Sequence, residues 1–352
     1  MVGLPLILTL PDANANYQLS GTETNLSAID QTLNRLLTRC WNGALYARYP
    51  RAVRVFLSDL GYFPNIVFPK TYNEKMFWRR VFDTNPVHAI YCDKLAVKDV
   101  FTSACKQLKV AEVLWTGSDA AGLPRELLDQ DVFVKTNNAS SRNVRCPQHE
   151  ISREEFYEQC RRWLSKPYKP WNREWGYARI KPLLFAERAI VAQQGLLEDV
   201  KVHLFGGKVY YTMIYHNEGM PGSRSAIFDR EGERLRVTNS IVQQDHDRAL
   251  PEDYKVPESY GHAIMVAEKV AAGSDYLRVD LMCDGAEVYG GEITVYPTGG
   301  TMTNSDPAVL ADMGRCWNLD LSWFMQTKHT GWRKWYQQRL REHLQDERTC
   351  CQ

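Results

Sequence analysis

Asp280, Glu292 and Arg278 stand where they could hold a divalent cation and steady negative charge beside it. They lie in the segment RVDLMCDGAEVYGGEITVYPTGG, Arg278 to Gly300, which reads as two strands joined at Asp284-Gly285. Neighbouring strands run about 5 Å apart, so two inward-pointing carboxylates on facing strands can share one ion. Magnesium suits such a pair, because it prefers one or two carboxylates plus phosphate oxygens to an all-protein cage. Arg278 precedes Asp280 by two residues and projects from the same face of the strand. A cationic fork there is what charge developing on a transferred phosphoryl or acyl group needs. Taken alone, the acids fit a surface hairpin with a cross-strand ion pair better than a metal site. The surrounding elements decide between the two.

Residues 25–60 carry apolar side chains at three- and four-residue spacings, with Leu33, Leu36, Leu37 and Trp41 on one helical face, and Gly61 and Pro64 close the region. TYNEKMFWRRVF predicts a helix with Thr71 and Glu74 as a capping box, and Ser152 with Glu155 predicts another. HAIYCDKLAVKDVFTSACKQL reads as helix and VAEVLW as strand. DVFVK reads as a buried strand that ends on Lys135 and enters the polar loop TNNASSRNV. A lysine ending an apolar strand is costly to bury unless it meets an anion. LLFAERAI is strand-like. VKVHLFGG and KVYYTMIYH form a hairpin about Gly206-Gly207, and SYGHAIMVAEKVAAG is a helix stopped by Gly273. This order predicts an α+β (mixed α/β) architecture with antiparallel hairpins late in the chain.

The 352 residues suffice for one large domain or two to three subdomains. A net charge of +1 argues against a general nucleic-acid binder and leaves room for a local basic groove. The nine cysteines contain no C-x-x-C pair and read as reduced thiols of a cytoplasmic protein. The apolar N-terminal run, MVGLPLILTLP, lacks leading positive charges and reads as an edge strand or docked arm rather than a signal peptide. No run approaches the roughly 18 apolar residues needed to span a bilayer. From about Asp306 the chain reads as helical. TGWRKWYQQRLREHLQDE, with Trp332, Trp335 and Leu340, predicts an amphipathic helix packed on the body; its Arg- and Lys-rich polar face also fits peripheral association with a membrane surface. Asp245, His246 and Asp247, or His216 and Glu218, offer a generic metal site, but near-consecutive residues rarely converge on one ion and both read as polar loop. His216 follows the strand after Lys201 and reads as facing an acceptor site.

The motif R-V-D-L-M-x-D-G followed by G-E-x-T-x-x-P resembles the closing strands of the ATP-grasp fold, as in D-alanine–D-alanine ligases. The resemblance implies that Asp280 and Glu292 hold Mg2+ ions bridging the phosphates of ATP, and that Arg278 steadies the acyl-phosphate and tetrahedral intermediate. Thr294, a weaker oxygen donor than an amide, stands where those ligases have Asn at a second metal position. The same resemblance places Lys94 of CDKLAVK, with Lys98 one helical turn later, and Lys135 on the phosphates. It folds the loop containing Asn137, Ser140, Ser141 and Arg142 over the triphosphate, although that loop has no glycine. It gives the adenine hinge to Glu187 and the backbone of Arg188, Ala189 and Ile190, and the ribose hydroxyls to Asp199. Lys201, two residues on, is a further candidate for nucleotide or carboxylate contact. NEKMFW at Asn73, DKLAVK, FVKTNN, DVK at Asp199, RVDL and GEIT together resemble the TupA-like branch, in which Thr replaces that Asn. The likeness runs over roughly residues 70 to 315.

The resemblance implies an N-terminal helical extension at 1–68, an N-terminal or central subdomain at 69–130, and a lid at 131–190. A C-terminal subdomain with the metal site follows at 191–315, then a C-terminal helix at 316–352. It implies an ATP-dependent carboxylate–amine ligase using ATP and Mg2+. The partners are a small-molecule or glycan carboxylate and an amine acceptor, with cell-surface polymer synthesis as the setting and no nucleic acid. Two rivals stay open: a kinase of the same fold that phosphorylates a sugar or other hydroxyl, and a non-catalytic nucleotide-binding protein. The sequence gives no oligomeric state.

Overall fold

The computed structural model describes residues 28–192, 197–218, 222–237, 239–303 and 307–349. The N-terminal apolar run lies outside them. The helices are α1 (Ala28–Arg48), α2 (Pro50–Leu60), α3 (Tyr72–Phe82), α4 (Val87–Cys92), α5 (Ala96–Ala104), α6 (Arg153–Ser165), α7 (Trp175–Ala178), α8 (Ser240–Gln244), α9 (Tyr260–Ala271), α10 (Pro307–Cys316), α11 (Trp323–Gln326) and α12 (Gly331–Thr349). The strands are β1 (Lys109–Val110), β2 (Val113–Gly117), β3 (Val132–Thr136), β4 (Asn143–Cys146), β5 (Leu184–Arg188), β6 (Leu197–Phe205), β7 (Lys208–His216), β8 (Arg224–Phe228), β9 (Tyr276–Asp284) and β10 (Glu287–Thr294).

They form two sheets. The larger runs β1-β10-β9-β6-β7-β8, and the smaller β2-β5-β3-β4. Only the β1–β10 pair is parallel among these strands. The stretch from Lys109 to Gly117 therefore splits between the sheets and links them.

Alternation gives the large sheet two unlike faces. Val200, Val202, Leu204, Val279, Leu281 and Ile293 are buried in one core cluster with Ala263, Ile264, Val266, Ala267 and Val270 of α9. The opposite face carries Asp199, Lys201, Arg278, Asp280, Glu292 and Thr294, which the register sets side by side. In the small sheet Val132, Val134, Leu184 and Ala186 pack with Phe156 and Cys160 of α6. This leaves Phe133, Lys135, Phe185 and Glu187 on its other face.

Both expected capping boxes form, Thr71 with Glu74 and Ser152 with Glu155. The helix expected through CDKLAVK is broken instead. Asp93 ends α4, its carboxylate accepts the Leu95 N–H at 2.9 Å, and Lys94 sits in the turn before α5. NEK turns out to be scaffold. Asn73 exchanges hydrogen bonds of 2.8 and 2.9 Å with the Met302 backbone, beyond the end of β10. Glu74 accepts the N–H groups of Asn65, Lys70 and Thr71, and Lys75 donates to the carbonyls of Gly314 and Trp317 at the end of α10. Fully buried Arg79 grips Asp275 at 2.6 Å and the Tyr276 carbonyl at 3.1 Å, which fixes the start of β9 to α3.

The C-terminal helix packs on the body mainly through residues other than its tryptophans, although Trp335 stacks on Trp41. Tyr336, Leu340 and Leu344 are buried, and the Tyr336 hydroxyl donates to the Val67 carbonyl at 2.7 Å. Trp332 and Trp335 remain exposed, as do Leu36 and Leu37 of α1. No helix among the described residues is long and apolar enough to cross a membrane.

Candidate active site

The hairpin that carries the acids depends on an irregularity in β10. From Glu287 to Gly290 each residue of β10 faces its partner in β9 in simple register, Gly290 opposite Leu281. The register then shifts, and Glu292 faces Asp280 while Thr294 faces Arg278. Gly291 is the extra residue of this bulge. In an unbulged ladder Glu292 would oppose Val279 and point into the apolar face, because a one-residue slip reverses every side chain. A Cβ on Gly291 would sit 2.7 Å from the Asp280 carbonyl oxygen, so the close approach needs glycine. The turn itself is Gly285-Ala286, with Gly285 at φ +53°, and Asp284 is the last paired residue of β9.

Around Asp280 the charges are closely matched. Arg278 donates from Nε and Nη2 to its two oxygens at 2.7 and 2.6 Å. Thr294 Oγ1 lies 3.1 Å from Arg278 Nη2 and donates to Asp280 at 3.3 Å. Burial pushes the Asp280 carboxyl up, but Arg278, Lys201 and Thr294 together hold the group below its ordinary range. Lys201 faces Asp280 from β6 and pairs with the carboxylate of Glu218. Asp199, two residues before Lys201, has its carboxyl pushed up to about 7 by burial and by the charge of Glu218, against the pull of Lys201.

Three lysines meet the acids from the far side. Lys94 pairs with Glu292, and its backbone N–H donates to the Asn137 carbonyl at 3.0 Å. Lys135 and Lys98 take one oxygen each of Glu187, at 2.6 and 2.7 Å. Burial raises the Glu187 carboxyl and the two lysines more than reverse that. Burial, and to a smaller extent Asp280, raise Glu292, and Lys94 and Lys135 together bring it below its ordinary range. The strands of the small sheet thus present Lys135 and Glu187 to the same region that β9 and β10 furnish with acids.

This cluster is suited in kind to Mg2+ and a polyphosphate. Asp280, Glu292 and Thr294 offer hard oxygen donors on two adjacent strands, and the lysines offer mobile cations. Among the described residues no group of three or more His, Cys, Asp or Glu converges as a metal cage. A Mg2+ ion here would draw its remaining ligands from phosphate and water.

Other expected contacts fall elsewhere. Asn137 is buried and committed to the chain: its amide donates to Asp93 and the Lys181 carbonyl, and its oxygen accepts the Leu183 N–H. Arg142 turns away from the cluster and caps the end of α6 through the carbonyls of Trp163 and Lys166. Ser140 and Ser141 are exposed in the β3–β4 loop, where Ser141 takes φ +59°. The Ala189 N–H donates to the Asp131 carbonyl at 3.0 Å and is not free for a base, while Ile190 follows the end of β5.

His216 does not share the face of Lys201. It pairs with Glu198 at 2.6 Å, and Tyr254 donates to the same Glu198 oxygen. A simple hairpin about Gly206-Gly207 would align His216 with Lys201, but the register shifts between His203 and Leu204, leaving Tyr210 as the extra residue, and His216 faces Glu198. Asp245 caps the turn at Asp247 and forms no metal site with its neighbours.

Glu218, expected to lie in a polar loop, and Lys98, expected beside Lys94, prove to be the partners of Lys201 and Glu187. Their signal was the presence of an opposite charge elsewhere in the chain, which only the fold brings near.

The family model of TupA-like ATP-grasp proteins matches residues 74–314. The chain belongs to the TupA-like ATP-grasp family. No curated protein matches it. Solved structures similar to it include the ATP-grasp ligase PsnB complexed with minimal precursor, at 12% identity and TM-score 0.34, covering 67% of this chain and 63% of that one. D-alanine–D-alanine ligase from Bacillus anthracis complexed with ATP matches at 14% identity and TM-score 0.36, over 66% and 65% of the two chains. The macrocyclase MdnC from Microcystis aeruginosa, bound with precursor peptide MdnA, matches at 11% and 0.33, over 67% and 64%. The matched part is under two thirds of the length of each of these chains.

Proposed function

We propose that this chain uses ATP to activate a carboxylate and passes the acyl group to an amine. A carboxylate oxygen attacks the γ-phosphorus and ADP leaves; the amine then attacks the acyl carbon, phosphate leaves, and the nitrogen gives up a proton. The observation that carries the reading is the placement of Asp280 opposite Glu292 on one polar sheet face, with Lys94 paired to Glu292 and with Lys98 and Lys135 held on Glu187 beside it.

Asp280 and Glu292, with Thr294, would hold Mg2+, which when bound neutralises charge on the transferring phosphate. Lys94 and Lys135 would bind phosphate oxygens, with Lys98 moving beside them. Asp199 would take the ribose hydroxyls, and the β5 segment from Glu187 to Ile190 would flank the base. Arg278, rigidly forked on Asp280, would orient the acyl-phosphate, and Lys201 the incoming carboxylate. Residues 131–190 would act as the lid and 191–315 as the metal-bearing part. PsnB and MdnC were solved with precursor peptides, and the family resemblance points to cell-surface polymers. An amino acid or peptide joined to a uronic acid or another glycan carboxylate in the cytoplasm fits both.

A screen for ADP release against uronic acids, sugars, peptides and amino acids tests this. Hydroxylamine should trap the activated carboxylate as a hydroxamate. ADP release with a sugar and no hydroxamate would make the protein a kinase. No Mg2+-dependent ADP release with any acid and amine would leave nucleotide binding alone.

A further inference from the structure

We propose that the outer face of α1, together with the exposed tryptophans of α12, rests on an anionic lipid bilayer. This inference is independent of the ligase chemistry.

The inward side of α1 is well used. Asn42 is buried and accepts the Ile66 and Val67 N–H groups, and Tyr46 donates to the Pro64 carbonyl at 2.7 Å. The outward side should then be polar in a freely dissolved helix. Instead it presents Leu36, Leu37, Cys40, Ala44 and Ala47, all exposed; Leu36 is 52% accessible and Leu37 39%. Trp41 carries this apolar surface across to the next helix by stacking on Trp335 with ring centroids 5.2 Å apart. Trp335 is itself 46% exposed and Trp332 54%. Two helices thus share one apolar surface that no other element covers among the described residues.

The charges around that surface choose the occupant. Residues 36–58 contain Arg39, Arg48, Arg51 and Arg54 and no acid, and residues 328–341 contain five lysines and arginines and no acid. The whole chain carries only +1, so two acid-free stretches with nine cations between them are a local excess. Glu342 pairs with Arg339, and the cationic excess that remains matches anionic lipid headgroups. Tryptophan rings settle at the headgroup level, and arginine stems lie along apolar surface while their heads reach phosphate. An apolar face ringed by cations is the pattern of a helix lying in the interface plane. With no bilayer-spanning helix among the described residues, attachment through them would be peripheral.

Sedimentation of the full chain with vesicles tests the proposal. Binding is expected to equimolar phosphatidylcholine–phosphatidylglycerol vesicles at low salt, with little to phosphatidylcholine alone. Leu37→Glu and the double change Trp332→Ala, Trp335→Ala should each weaken binding about tenfold. Arg39→Glu with Lys334→Glu should do the same, and all three proteins should keep the parent circular dichroism, since these side chains are exposed. Lys208→Glu, an exposed charge on the β6–β7 turn, should leave binding unchanged. Absence of binding to the anionic vesicles, or equal loss with Lys208→Glu, would overturn the proposal. So would light scattering that shows a dimer broken by Leu37→Glu, which would assign the face to a second copy.

Discussion

Glu292 lies directly across from Asp280 because β10 holds one residue more than β9, at Gly291. The bulge turns a strand that would bury its acid in the apolar layer into one that sets two carboxylates side by side.

Gly291→Ala would place a methyl 2.7 Å from the Asp280 carbonyl oxygen, and a backbone atom cannot step aside as a side chain can. The expected cost is about 1–3 kcal/mol of stability, the scale of overpacking a close contact. Affinity for Mg2+ and nucleotide should fall with it, because relaxing the bulge moves Glu292. Thermal unfolding and nucleotide titration check this; a variant with parent stability and parent affinity would contradict it.

Asp280→Asn and Glu292→Gln should separate stability from activity. Both are expected to lower Mg2+-dependent ADP production by at least about a hundredfold. Asp280 also holds the largely buried Arg278 through two hydrogen bonds, so its loss leaves a cation poorly paired and should cost about 3 kcal/mol. Glu292 has a half-exposed side chain, but its partner Lys94 is largely buried; Gln can still accept one hydrogen bond from that lysine, so Glu292→Gln should cost less, about 1–2 kcal/mol. Denaturant titrations alongside ADP assays measure both quantities.

Lys98 and Lys135 are expected to act non-additively on folding. Either lysine alone still pairs with Glu187; without both, a largely buried carboxylate is left without a cation. The double alanine variant should therefore lose about 1–2 kcal/mol more than the sum of the single variants, measured by a double-mutant cycle.

Asp199 gives a pH dependence opposite in sign to that of the paired acids. Its folded pKa of about 7 lies above the unfolded value of about 3.9, so between these values the native state binds more protons than the unfolded state. Its contribution to stability is complete below the unfolded pKa and declines as pH rises towards 7. Asp199→Asn removes that decline, and the variant should gain on the order of 1–3 kcal/mol over the parent at pH 8 relative to pH 5. Unfolding curves at the two pH values check the sign.

Local signals were legible in the sequence because neighbouring residues settle them. Thr71 with Glu74, Ser152 with Glu155, and Gly206-Gly207 all formed the caps and turn their types require. The α+β order of elements and the hairpin from Arg278 to Gly300 followed from the same short-range chemistry. Parity across a sheet was harder, since one extra residue reverses it. Gly291 in mid-strand was a usable sign of its bulge, whereas Tyr210 gave none, and His216 was placed on the wrong face in consequence. Partners distant in the chain were not legible at all: Arg142 found the end of α6, and Lys98 found Glu187 across 89 positions of sequence.

The pairing of Lys94 with Glu292, of Lys98 and Lys135 with Glu187, and of Lys201 with Glu218 makes the cluster a self-neutralised electrolyte. A ligand that brought only anions would strand the carboxylates, and one that brought only cations would strand the lysines. Magnesium and a polyphosphate arriving together could exchange ions on both sides at once, so on the proposed reading the cluster would discriminate for the complex over either of its parts.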